Sequence, residues 1–322
     1  MHMLCNANLG HNESEMICPS RVIRRIAMEA FLIGVPKAGT TWLSHVLDQH
    51  PGIDLSSPKE PNFIATHKGT FERVVDEPVW AEYSGFFSGN GVKIDASVHT
   101  FACPVAPSRI KSKFPNAKFI LCLREPVSRT VSHWNMIRNS GEGEEENRNW
   151  EVFEEAWLDD SLRVDSMYGT SMENWLEEFG LDRFTIIDSS RMRSEPIEVI
   201  REIEDFLGVD KWEYDLRMGR HENSAASNRR VSVFGNIAML FFSLIPKIIK
   251  APIIRFLQFR DWNIYRLPIL SEKGEYVPLG ESHYLTCGEE LCKELVIFGK
   301  LTGFDCSNWE SRIRSYLHEE TD

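Results

Sequence analysis

The stretch GVPKAGTTWL, residues 34–43, holds the parts of a phosphate-binding loop in an unusual order. Gly34 and Gly39 bracket four residues, as in the nucleotide-loop pattern G-x-x-x-x-G-K-[ST]. Thr40 stands where that pattern has lysine, and Lys37 comes two residues before the second glycine. A helix beginning near Thr40 points unpaired amides back at the loop, and its dipole favours an anion there. The backbone of Ala38 and Gly39, the hydroxyls of Thr40 and Thr41, and the Lys37 ammonium complete an anion site. A second site follows the apolar run KFILCL, residues 118–123, which leads into Arg124. In an ATPase the second strand ends in an aspartate that helps hold magnesium. An arginine repels a metal and invites another phosphate. Ser128 and Ser132 then follow at helical spacing, on one face. Two separate anion sites suit a nucleotide with phosphates in two places. They argue against a kinase or ATPase, which needs the missing lysine and the missing aspartate.

These motifs resemble those of the sulfotransferases that use 3′-phosphoadenosine 5′-phosphosulfate (PAPS) and release the bisphosphate PAP. PKAGTTWL resembles the family's 5′-phosphosulfate loop. LREPVSRTVSHW resembles its 3′-phosphate motif, with Arg124 and Ser132 in the matching positions. SSPKEPNFI, residues 56–64, is similar to the segment after the first helix in glycan sulfotransferases and their bacterial relatives. The stretch from Tyr168 to Val209 is similar to a later helix–strand–helix unit, so the resemblance runs over about residues 30–230. It implies Lys37 as the cation that steadies the departing phosphate and Glu60, in PKEP, as the general base. His99 is the rival base, because histidine titrates near neutrality. Trp42 falls where relatives approach the nucleotide, although its helical position also suits the core. Arg229 and Arg230 lie where relatives place a basic loop over the nucleotide; a solvated turn is the competing reading. Lys59, Asp95 and His99 are candidate acceptor contacts. Asp95 begins DASV, where relatives carry an acid followed by lysine, so Ala96 takes the place of a cation used against anionic sugars. No metal is called for, and a non-catalytic nucleotide binder is disfavoured by the presence of both Lys37 and Glu60.

The elements that must hold these residues are legible as periodicity. AFLIGV (30–35), KFILCL (118–123) and RFTIID (183–188) are short apolar runs with the character of buried strands. TTWLSHVLDQH is helical, with Trp42, Leu43, Val46 and Leu47 on one face. PVSRTVSHWNMIR starts with a proline where a helix tolerates one. YGTSMENWLEEF (168–179) sets Tyr168, Met172, Trp175 and Phe179 on one face, and EPIEVIREIEDFLG is a helix ended by Gly208. EGEEEN (142–147) reads as a solvated loop and LCKELVIFGKLTG (291–303) as a late helix. Strands alternating with helices predict an α/β fold, a parallel sheet flanked by helices. The expected organisation is one domain over 1–322, with a nucleotide-binding core at about 28–230 and a C-terminal helical extension at about 231–322.

A formal net charge of −12 excludes a broad basic surface for nucleic acid. Basic runs are absent outside the proposed donor loops, so a long anionic polymer is a poor acceptor. A neutral or cationic small molecule, such as a secondary metabolite or guanidinium alkaloid, is the expected acceptor. The seven cysteines form no C-x-x-C pair, and the first residues show no secretory signal, which together suggest a reducing, cytoplasmic setting. The apolar stretch 231–259 is broken by Gly235, Asn236, Pro246 and Lys247. It falls short of a membrane span, leaving a buried helix, an interfacial contact or an acceptor lid as its readings.

Overall fold

The computed structural model describes residues 29–140, 142–146, 148–217, 229–231 and 271–318. In chain order its first strands are β1 (Glu29–Gly34), β2 (Ile53–Leu55), the hairpin β3 (His67–Lys68) and β4 (Glu72–Arg73), and β5 (Val92–Asp95). β6 (Lys118–Leu123) and β7 (Phe184–Asp188) follow. Five of them form one sheet in the order β2-β5-β1-β6-β7, with every neighbouring pair parallel. A central parallel strand is covered on both faces, which is why β1 and β6 are continuous apolar runs.

Helices flank this sheet. α1 (Thr40–Leu47) leaves β1, α2 (Trp80–Tyr83) precedes β5, α3 (Ala106–Lys113) joins β5 to β6, and α4 (Pro126–Ser140) leaves β6. Short pieces α5 (Glu142–Glu145), α6 (Phe153–Trp157) and α7 (Asp160–Arg163) lead to α8 (Tyr168–Glu178), which feeds β7. After β7 come α9 (Arg191–Ser194) and α10 (Pro196–Leu207). The described C-terminal part holds α11 (Glu281–Thr302) and α12 (Ser307–His318). An antiparallel pair, β8 (Arg229–Val231) and β9 (Ser271–Lys273), lies between, with β8 against α4.

The aromatic face read on residues 168–179 is the one that packs. Tyr168, Met172, Trp175 and Phe179 are all buried. Phe119 of β6 has the rings of Trp175, Phe179 and Phe184 at 4.7–4.8 Å, which locks α8 and β7 onto the sheet. The C-terminal helices join this core directly. Glu294 of α11 accepts from the Thr170 amide and hydroxyl at 2.8 and 2.7 Å, at the start of α8.

The structure departs from the periodicity reading in several places. β2 and β5 are strands of three and four residues, interrupted by Asp54, Lys93 and Asp95, too short to show as apolar runs. α11 begins at Glu281 rather than near Leu291, because His283, Tyr284, Cys287 and Gly288 are packing positions despite their mixed polarity. There Gly288 allows close approach: a Cβ on it would stand 2.9 Å from Ile313 of α12. The acidic stretch at 142–147 contains a single helical turn instead of only loop. Beyond Val231, the apolar stretch 231–259 lies outside the described residues. Among the described residues no helix is long and apolar enough to cross a membrane, and the described cysteines are buried free thiols.

Candidate active site

The candidate residues gather where parallel strands end. In an open α/β sheet the carboxyl ends of the strands, with the loops that follow them, form the ligand crevice. β1 ends in the loop 35–39, β6 ends at Arg124, β2 runs into the loop that carries Glu60, and β5 runs into Asp95–His99. Backbone bonds tie these loops together. Val35 donates to the Cys122 carbonyl at 2.8 Å and Phe101 to the Ile33 carbonyl at 2.8 Å. A Cβ on Gly34 would come 2.7 Å from the Val98 carbonyl oxygen, so only glycine allows that approach.

The first helix has an open end. Gly39 is its N-cap residue, in the left-handed conformation at φ 86°, and supplies no side-chain cap. Ala38 and Thr40 are buried, while Lys37, Gly39 and Thr41 are half-buried. Met192 of α9 covers this turn, its methyl 3.0 Å from where a Gly39 Cβ would stand. The Lys37 ammonium lies 3.5 Å from Met136 Sδ. Met136 is one helical turn beyond Ser132, so the half-buried Ser132 shares a face of α4 with the group that meets Lys37. Trp42 is buried and donates to the Leu216 carbonyl at 3.3 Å, which is a core position.

Arg124 donates to the Lys37 carbonyl at 3.3 Å. This brings the two anion sites read from the sequence side by side. Its guanidinium is held below the ordinary arginine range by burial and, next, by the charge of Arg193. Arg193, exposed on α9, is a cation at this site that the sequence reading missed; it sits in no motif and is brought there by β7. Ser128 is spent elsewhere. Its amide and hydroxyl donate to Glu125, whose other oxygen takes the Val127 amide at 3.0 Å.

Glu60 is half-buried and pairs with Lys59 at 2.5 Å. Their loop is fastened to the segment after β5. Ser56 Oγ donates to the Lys59 carbonyl at 2.7 Å and accepts from the Ala96 amide at 3.3 Å, while the Asn62 amide donates to Ser97 Oγ at 3.0 Å. Ser97 Oγ in turn donates to Asp95 at 2.7 Å, and Tyr83 donates to the other oxygen at 3.1 Å. Burial raises the Asp95 pKa against those bonds. Asp95 is therefore one layer behind the Glu60 loop, 3% exposed, with its oxygens bonded to Tyr83 and Ser97.

His99 is nearly enclosed. Its Nδ1 faces both oxygens of Asp165, at 3.3 and 3.2 Å. Arg129 and His133, one turn apart on α4, complete a buried cluster with Asp165. Arg129 donates to Ser166 Oγ at 2.6 Å, the Leu162 carbonyl at 3.1 Å and His133 Nδ1 at 3.1 Å. Because arginine can only donate, His133 Nδ1 must accept, which leaves its Nε2–H for Thr70 at 2.8 Å. Burial, then the Arg129 charge, holds the His133 pKa well below the ordinary range, in agreement with a neutral ring. His67, half-buried on the hairpin, is lowered to about 4 by burial and then by Arg73. A buried arginine and histidine at helical spacing were visible in LREPVSRTVSHW as charges on an apolar face. Asp165 gave no sequence signal. Arg229 and Arg230 are placed only by backbone, on β8 opposite Lys273 and Glu272. His50 is structural, its Nε2–H bonded to the Asp210 carbonyl at 2.7 Å and its Nδ1 accepting from Gly52.

Comparison with known proteins bears on this arrangement. The chain is 26% identical over 202 residues to mouse heparan sulfate glucosamine 3-O-sulfotransferase 6, covering 58% of this chain and 54% of that protein. It is 30% identical over 196 residues to mouse bifunctional heparan sulfate N-deacetylase/N-sulfotransferase 4, covering 55% of this chain and 22% of the relative. The chain thus spans about half the length, or less, of these curated relatives. A sulfotransferase from Alicyclobacillus acidocaldarius shares the fold, with a TM-score of 0.58, 18% identity, and coverage of 88% of this chain and 98% of that one. The family model described as the sulfotransferase domain matches residues 28–222, and the chain belongs to that family.

Proposed function

We propose that this protein moves a sulfuryl group from PAPS to a hydroxyl or amine of a neutral or cationic small molecule. The observation that carries the reading is the meeting of an uncapped helix end at Gly39 with Lys37 and a desolvated Arg124. Backbone amides of 38–41 and Lys37 hold the 5′-phosphosulfate. Arg124 and Ser132 take the 3′-phosphate, with Arg193 beside them and Arg229 and Arg230 as further candidates from β8. The acceptor oxygen attacks sulfur as the sulfur–oxygen bond to the 5′-phosphate breaks. Glu60 takes the acceptor's proton, and Lys37 steadies the charge that builds on the departing phosphate. Lys59 positions Glu60 through their ion pair, and Asp95 positions the loop through Ser97.

The small-acceptor reading rests on the net charge of −12 and on Ala96, which is buried and stands at the position that the family resemblance assigns to a lysine. The relatives named for heparan sulfate favour a glycan acceptor instead. Thermal melting and PAP release separate the readings. PAP should raise Tm more than ADP or ATP with magnesium, since a ligand that binds only the folded state stabilises it by mass action. A panel of heparan oligosaccharides, phenols, lipid alcohols and cationic alkaloids should then give the highest turnover on the uncharged or cationic members. Efficient sulfation of heparan oligosaccharides, falling steeply with salt, would replace the small acceptor by a glycan. Stabilisation by ATP with magnesium but not by PAP would overturn the donor.

A further inference from the structure

The cluster beneath the crevice contains a charge that the reaction outlined above leaves unused. His99 is two residues past Ser97, which receives the Asn62 amide of the Glu60 loop, and one past Val98, which touches Gly34 at the start of the phosphate loop. His99 therefore belongs to the segment that both the Glu60 loop and the start of the phosphate loop contact. Nδ1 is turned inward to Asp165, and the side chain keeps 10% of its exposure. Among the described residues, His99 is the one partner within hydrogen-bond distance of Asp165 able to carry a full proton to it, with His133 Nδ1 at 3.6 Å. Arg129 stops 4.0 Å away, its N–H groups given to Ser166, Leu162 and His133. His133 is the neutral tautomer that accepts from Arg129.

We propose that Asp165 is a positioning residue that holds His99 as an imidazolium, so that His99 presents a charged Nε2–H to an oxygen of the transferring sulfuryl group and is not the base. This rests on the reading that Glu60 and Lys37 flank the reacting sulfur. The Asp165 carboxylate would otherwise leave a buried negative charge behind a donor that is itself negative. A protonated His99 offsets it and gives the sulfuryl oxygens a donor. The groups facing the pair come from each element around it: Arg129 and His133 from α4, His67 and Arg73 from the hairpin, and Glu60 from the loop after β2. Burial alone would lower the His99 pKa, but the Asp165 charge overcomes it and the net direction is upward. Burial would raise Asp165, and the His99 charge carries it well below the usual carboxylate range. The signs follow. Stability from His99 is complete below its unfolded pKa and is lost as pH rises through the raised folded value. Stability from Asp165 is complete above its unfolded pKa and is lost as pH falls through the depressed folded value.

Histidine side-chain NMR of the full chain reads the pair without turnover. His99 should keep its proton above the ordinary histidine pKa of about 6.5. Asp165→Asn should drop that value by about one unit or more, and should move the alkaline limb of kcat to lower pH by the same amount. KM for PAPS should change little. His99→Gln, which keeps a donor without a titrating proton, should lose part of kcat and lack the limb altogether. A wild-type His99 that titrates below the ordinary value would overturn the proposal. So would an Asp165→Asn chain that is less stable but has an unmoved limb. If Asp165→Asn fails to fold, the wild-type titration and the His99→Gln profile decide. If no acceptor is sulfated, the proposed activity fails, while the NMR titration still tests the pair.

Discussion

Two helices start alike and end up with opposite electrostatics. α1 leaves β1 and α4 leaves β6, two adjacent parallel strands, so their N-termini lie at the same carboxyl end of the strands. At α4 the chain supplies its own anion. The Glu125 carboxylate, 7% exposed, accepts from the Val127 and Ser128 amides and from the Ser128 hydroxyl. At α1 the corresponding turn has Gly39, no capping side chain, and the cations Lys37 and Arg124 close by. Free amides at a helix start and the dipole behind them are the same in both cases. The difference is one carboxylate. Where the chain provides it, the helix end is structural. Where the chain withholds it and adds cations, the end is the one proposed above for the 5′-phosphosulfate. Arg124 adjoins the closed end in sequence and reaches the open one in space.

The largest effect should come from a change that leaves both helix ends intact. Glu60→Gln keeps the shape of the loop and removes the proposed base, so turnover should fall by about 10²–10⁴. PAP affinity, measured by calorimetry, should stay within a few-fold of wild type. A large loss of PAP affinity with normal turnover at saturation would place Glu60 in the donor site instead.

Stripping a cation from the open end comes next. Arg124→Ala removes a charge-assisted bond of about 1.5–3 kcal/mol, which is about tenfold or more in PAP affinity. ADP lacks the 3′-phosphate and should lose much less. Equal losses for the two ligands would show that Arg124 serves general attraction and not the 3′-phosphate.

Opening the closed end should matter least. Glu125→Ala deletes a helix cap, a loss of about 0.5–2 kcal/mol in stability. It should lower Tm by a few degrees in chemical or thermal unfolding and leave PAP affinity unchanged or slightly higher, because an acid near Arg124 is gone. If PAP affinity fell while Tm held, the two helix ends would not divide the work as described.

The amino-acid sequence by itself determined the parts whose signal is local. β1, β6 and β7 show as apolar runs, α8 and α10 as helical stripes, and the loop 34–39 as glycine spacing, because strand, helix and turn preferences act over a few neighbouring residues. The Lys37 loop and the Arg124 helix were legible for the same reason, and residue type is what proposes them as two anion sites. Tertiary structure decided that these two sites adjoin, through a bond from Arg124 to the Lys37 carbonyl, 87 residues apart. It also decided that Asp95 faces inward to Tyr83 and Ser97. Only the folded chain joins Asp165 to His99 across 66 residues, and Glu294 to the start of α8 across 124. Nothing in the composition around Asp165 marks it, since the histidine it pairs with arrives from another part of the chain. The topology of the sheet, and not the local pattern, is what delivers that partner.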